Sequence, residues 1–366
     1  MIAATPGQGG AAWAVLQYVL GLSRLGCDVR LVEPIAGREV PAASAAYAGD
    51  VAARFGLDGR WALVPEGGGE PAGLSRTQLA AAAGGADLLL SVSGMLTDEA
   101  VLDAVPVRAY LDLDPAFNQL WHDAEGVDMR FDAHTHFVSV ADSIGVAGSP
   151  IPDCGRDWIA TLPPVVLDEW PVADEPAAPA ETLTTIGHWR SYGSIHHDGV
   201  HYGQRAHSVR PLMELPSRTR ARFQLALGIH ADEVDDLAAL ESNGWGLVEP
   251  ARVAGTPDGY RRFVQRSWAE LGIAKLGYVV SDSGWFSDRS ACYLASGRPV
   301  VAQDTGFGRR LPLGAGLLAF AGVDSAAAAI EEVRADYERH RVAARQIAVE
   351  HLDSDRVLGS LLERLL

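Results

Sequence analysis

The chain has 366 residues, 48% hydrophobic and 21% charged, enough for two domains with ordinary soluble cores. Its 47 acidic and 30 basic residues leave a formal charge of −17, which argues against a partner held chiefly through nucleic-acid phosphates or an anionic membrane surface. Cys27, Cys154 and Cys292 lie far apart with no CxxC or CxxH spacing, so neither a disulfide framework nor a metal site is expected, and a cytoplasmic location fits.

In chain order, residues 5–12 form a Gly/Pro loop that opens an apolar helix through Trp13, Val15, Leu16, Val19 and Leu20. The apolar stretch 11–22 contains Gln17 and lacks a basic leader, so it reads as neither a signal peptide nor a membrane span. The loop places Gly9 and Gly10 at a helix N-terminus, where backbone N–H groups can meet phosphate or sugar. It also reads G-x-G-x-x-A, with Glu33 about 20 residues on, the pattern of a dinucleotide fingerprint. Only Ile2, Ala3 and Ala4 stand where a Rossmann first strand belongs, so either the chain starts late or that strand is stunted.

Short β-rich runs follow at 29–33, 86–93, 108–112 and 136–140, separated by helix-length Ala/Leu segments. Strands alternating with helices point to a parallel, doubly wound sheet. A Pro-rich acidic stretch at 168–180 reads as a linker, and the alternation restarts at 183–186, 224–228, 245–249, 277–281, 299–302 and 317–320. The expectation is α/β: an N-terminal acceptor domain (1–167), the linker (168–180), a C-terminal donor domain (181–345), and a final helix (346–366) packing back on the first domain. Two such sheets would face each other across a cleft at the carboxyl ends of their strands.

The densest loop runs through Ser283, Gly284, Trp285, Phe286, Ser287, Asp288, Arg289 and Ser290, with Ser287 or Asp288 as helix N-cap and Gly297 and Pro299 ending that helix. Its N–H groups and Arg289 suit a diphosphate, and Asp288 suits ribose hydroxyls. Thr305, Gly306 and Phe307 add donors after the next strand. The block from Gly284 to Gly308, together with Gly187 to Gly193 and the opening Pro6 to Ala11, resembles the GT-B glycosyltransferases, more closely a bacterial glycosyltransferase-like group, over nearly the whole chain. That resemblance implies two Rossmann-like domains, a nucleotide-diphosphate sugar bound mainly by the second, and an acceptor bound by the first. Many members carry a donor-binding glutamate where this chain has Cys292, with Asp288 as the substitute, and the histidine of plant and antibiotic enzymes is missing near Asp282.

Arg190 follows the first strand of the second domain and can take a phosphate bidentately; Trp189 is either a stacking platform or core. Residues 250–253 follow another strand and can bracket the base. Lys275 is the one lysine beside 29 arginines, a skew that fits a GC-rich genome, and is expected before the 277–281 strand as a phosphate or sugar contact. Asp198 and Gly199 signal a hairpin that places His196 and His201 on one face, and His134 and His136 are read as sharing a strand face. Asp112 and Asp114 end a first-domain strand, and either can be the base that takes the acceptor's proton.

The expected activity is metal-independent transfer of a sugar from a UDP- or dTDP-sugar to a small acceptor such as a secondary metabolite, with no cofactor beyond the donor itself. The competing readings are an NAD- or FAD-dependent oxidoreductase, a non-catalytic sugar-nucleotide binder and an epimerase-like enzyme.

Overall fold

Branched and aromatic residues bounded by Gly, Pro and Asp make most of the expected strands, and the helices between them cover the sheet faces. The computed structural model describes residues 1–173 and 181–366, so 174–180 of the linker stretch lie outside the described residues.

In the first half, β1 (Leu31–Ile35) pairs in parallel with β2 (Trp61–Pro65), and β3 (Ala72–Gly73) adds an antiparallel edge. A second, fully parallel sheet follows in the order β4 (Leu88–Val92), β5 (Val107–Asp112), β6 (His136–Ser139) and β7 (Trp158–Ala160). The helix Gly9–Arg24 buries Ala12, Trp13, Leu16 and Val19.

The second half contains β8 (Thr182–His188), the hairpin β9 (Ile195–His197) and β10 (Val200–Tyr202), β11 (Arg222–Gly228), β12 (Gly246–Leu247), β13 (Ala269–Gly272), β14 (Val300–Gln303) and β15 (Leu317–Phe320). Apart from the hairpin these form one all-parallel sheet in the order β12-β11-β8-β13-β14-β15. Counted within this half the order is 3-2-1-4-5-6, the doubly wound arrangement whose direction reverses between β8 and β13.

One expected strand is a helix. Residues 277–281 fall in Leu276–Val280, with Lys275 as N-cap, and the central strand is β13 just upstream. The β-branched Val279 and Val280 suggested a strand, but Gly277 must lie flat against Phe117, where an added Cβ would come within 2.6 Å of the ring. β13 was hidden because Glu270 interrupts its apolar run; that glutamate is fully buried and paired with Arg289.

The linker stretch begins in the core. Trp170 is fully buried, its ring centroid 4.9 Å from that of Trp13. At the other end of the chain, the helix Ser354–Leu365 returns to the first half, where Leu358, Leu361 and Leu365 pack with Tyr18, Leu111 and Val138. Beside the π-helical turn Ala348–Leu352 the backbone is tied to the stretch before the linker: Val165 N–H donates to Leu352 O at 2.7 Å, and Ser354 N–H to Val165 O at 2.9 Å. Among the described residues no helix is long and apolar enough to cross a membrane.

Candidate functional site

A doubly wound sheet opens a crevice where neighbouring connections run to opposite faces, here past the carboxyl ends of β8 and β13. Arg205 fills it. Its Nε–H donates to Ile273 O at 2.8 Å, and Nη1 donates to His188 O at 2.7 Å, so one guanidinium spans the ends of both strands. Arg205 is 7% exposed, and no carboxylate among the described residues forms an ion pair with it. Burial, reinforced by the like charge of Arg289, pulls its pKa down to about 10.

Lys275 stands beside this fork because β13 ends at Gly272 and the next helix starts at Leu276. Its Nζ lies 2.8 and 3.0 Å from the two carboxylate oxygens of Asp114, which belongs to the first half and follows β5. Tyr192 and Tyr278 also donate to that carboxylate, one to each oxygen, and Tyr192 Oη accepts from Lys275. The ammonium is 4.2 Å from the Tyr192 ring centroid and 5.3 and 5.4 Å from those of Phe117 and Tyr278, an aromatic cage that favours a cation. Burial lowers the Lys275 pKa, and Asp114 opposes that fall.

Asp112, the other candidate base, is fully buried. It accepts from Asp114 N–H, Asn118 Nδ2, Gln119 Nε2 and Ser139 Oγ at 2.9, 2.6, 2.9 and 2.8 Å. Burial pushes its carboxyl up to about 6. Four donors and no exposure make it an organiser of the turn that carries Asp114, not a group that reaches an acceptor.

Asn118 connects this turn to a cavity in the first half, its Nδ2 lying 3.4 Å from Ser93 Oγ. The cavity holds about 510 Å³ beyond the carboxyl ends of β1, β2 and β4, and Pro34, Ile35, Ser93, Gly94, Met95 and Met129 are among its walls. Ser93 (φ 48°) and Gly94 (φ 64°) are both left-handed, and at Gly94 an added Cβ would sit 2.9 Å from the Tyr110 ring. Such backbone strain concentrates at binding sites.

The loop expected to cradle a diphosphate spends its own donors internally. Gly284 N–H donates to Thr305 O at 2.6 Å, Trp285 N–H to Ser283 Oγ at 3.3 Å, and Thr305 Oγ1 to Trp285 O. Ser287 caps the helix Asp288–Ala295 by accepting from Arg289 N–H, while Ser290 is buried. Arg289 is turned inward to Glu270 and to Ile186 O, and so away from the expected phosphate. Phe286 and Phe307 pack on each other at 5.4 Å, and Trp285 lies 4.5 Å from Tyr278. Burial raises the Asp288 carboxyl.

Gly284 and Gly306 are needed for close approach. A Cβ on Gly284 would lie 2.0 Å from Asp142 Oδ1, and one on Gly306 2.2 Å from Arg309 Nη1. Arg309 bridges Asp142 of the first half and Asp282 of the second at 2.7 and 2.8 Å. Cys292 Sγ accepts from Gln17 of the first helix at 3.5 Å, so it packs between the halves.

Other expected contacts are re-assigned by packing. Gly9 and Gly10 face protein: a Cβ on Gly9 would sit 2.2 Å from Thr256 O, and one on Gly10 2.8 Å from the Tyr260 ring. Trp13 Nε1 adds a hydrogen bond to Pro257 O at 2.8 Å. Trp189 is core, with its indole N–H on Asp236, and Arg190 pairs with Glu233. Glu33 accepts from the N–H groups of Ile2, Ala3 and Ala4, so its carboxylate is occupied where the dinucleotide pattern needs it for ribose. His196 and His201 face each other across the hairpin, Nε2 to Nδ1 at 2.8 Å. His134 precedes β6 and bonds Arg130 O, so it forms no pair with His136.

The chain matches no protein-family model and no curated protein sequence. Its fold does match solved structures. Anabaena Alr3699/HepE in complex with UDP aligns with a TM-score of 0.56 at 11% identity, over 98% of this chain and 97% of that one. A glycosyltransferase from Rickettsia africae aligns with a TM-score of 0.51 at 10% identity, over 98% and 94%. The chain has the GT-B fold. In this GT-B chain, Arg205 was not anticipated: it lies 17 residues beyond the end of β8, after the hairpin, and its only signal is the pair of carbonyls that the fold brings to it.

Proposed function

We propose that this protein is a glycosyltransferase that moves a sugar from a UDP- or dTDP-sugar to a hydroxyl of a small acceptor. The observation that carries the reading is Arg205, a buried guanidinium with which no carboxylate among the described residues forms an ion pair, at the switch point of a GT-B sheet with Lys275 beside it. A buried cation is stabilised by an anionic partner, and a diphosphate supplies one.

Arg205 and Lys275 hold the leaving diphosphate and offset the charge that grows on it as the glycosidic bond lengthens. Asp114 takes the proton of the attacking hydroxyl. The acceptor occupies the cavity beside Ser93, its apolar body against Ile35, Met95 and Met129. Secondary metabolites of mixed polarity suit those walls, and the reaction runs in the cytoplasm without a metal. Residues 1–167 serve the acceptor and 181–345 the donor.

The test is a thermal-shift and calorimetric screen of UDP, dTDP, ADP, NAD and FAD on wild type, Arg205→Ala and Lys275→Ala. A nucleoside diphosphate is expected to bind wild type and to bind both variants at least tenfold more weakly. Binding of NAD or FAD alone overturns the reading. Release of nucleoside diphosphate when acceptors are added separates transfer from binding alone.

A further inference from the structure

The cluster around Asp114 is closed on itself. Its two carboxylate oxygens receive Lys275, Tyr192 and Tyr278, and all three donors come from the second half of the chain. Lys275 in turn directs its ammonium at those two oxygens and at Tyr192 Oη. Asp114 is thus a compact anion with two saturated oxygens, seated between a buried lysine and two phenols close to Arg205.

We propose that Asp114 and the donor's diphosphate compete for Lys275, so that donor binding releases the base. This rests on the donor-site reading above and adds its regulation. Lys275 is deeply buried and cannot be left without an anion, so Asp114 leaves only as another anion arrives. While the pair is closed, the carboxylate is fully occupied and cannot accept a proton from a hydroxyl. When phosphate oxygens take Lys275, Asp114 turns toward the cavity beside Ser93. Binding is therefore ordered, donor first, and acceptor meets an idle carboxylate until the nucleotide sugar is in place.

UDP titrated calorimetrically into full-length protein tests this. Asp114→Asn removes the competing charge and is expected to bind UDP at least tenfold more tightly than wild type. The double variant Tyr192→Phe with Tyr278→Phe keeps both rings and loosens Asp114 without removing Lys275; it is expected to bind several-fold more tightly, and it carries the test if Asp114→Asn does not fold. Lys275→Ala is expected to bind at least tenfold more weakly. If Lys275→Ala binds weakly while neither Asp114→Asn nor the double tyrosine variant gains affinity, the competition is wrong and the donor site stands. If Lys275→Ala binds UDP like wild type, Lys275 is no phosphate contact and the competition is wrong, and if wild type binds neither UDP nor dTDP the donor-site reading falls and the competition with it.

Discussion

Lys275 Nζ and the Asp114 carboxylate lie 2.8 Å apart and join the two halves of the chain through one ion pair. Each is shielded, the lysine side chain 11% and the aspartate 22% exposed. Removing one partner of such a pair strands the other, at a cost of about 3 kcal/mol, whereas removing both costs less than the sum. Chemical denaturation of Lys275→Met, Asp114→Asn and the double variant is expected to give a coupling of at least about 1 kcal/mol. Additive losses would mean that the pair contributes no coupling.

Arg205→Lys keeps the charge and loses the fork. A single ammonium cannot hold Ile273 O, His188 O and a phosphate in one plane, so kcat/KM for transfer is expected to fall about 100-fold, together with a lower melting temperature as a buried carbonyl loses its donor. An unaltered kcat/KM would assign Arg205 to packing alone.

Asp112 sets a pH signature. Its folded carboxyl is raised from 3.8 to about 6 by burial, so its stabilising contribution is complete below about 4 and is lost as pH rises through about 6. Asp112→Asn does not titrate, and Gln119 Oε1, which has no hydrogen-bond partner among the described residues, can turn to accept from the new amide. Relative to wild type the variant is expected to gain up to about 3 kcal/mol between pH 4 and 6.5 in urea unfolding. A gap that stays constant with pH would refute the raised carboxyl.

Glycine placement separates close approach from simple flexibility. Gly9→Ala drives a methyl into Thr256 O and is expected to cost about 2 kcal/mol, read as a fall in melting temperature. Gly359→Ala meets open space inside the helix Ser354–Leu365 and is expected to add about 0.5–1 kcal/mol. Equal effects would remove the contact argument.

Much of this was legible in the residues. Apolar runs bounded by turn formers marked most of the main strands, and Lys275 and Asp114 both stood out, one as a singular residue type and one as a carboxylate ending a strand. Their meeting was not legible, because nothing in the sequence relates positions 161 apart. Glu270 concealed β13 since a charge enters a core only with a partner, and Arg289 lies 19 residues away. Arg289, Trp189 and Gly9 carried the residue types of ligand contacts, yet tertiary packing used them as an ion pair, a core indole and a contact between the halves.

The backbone tie among Val165, Leu352 and Ser354 holds together the chain's two crossings between its halves. The polypeptide passes between them twice, and at this tie the two passages are hydrogen-bonded side by side. At such a crossing each passage satisfies backbone groups of the other, so Val165→Pro, which removes the N–H that Leu352 O accepts, is expected to lower the melting temperature.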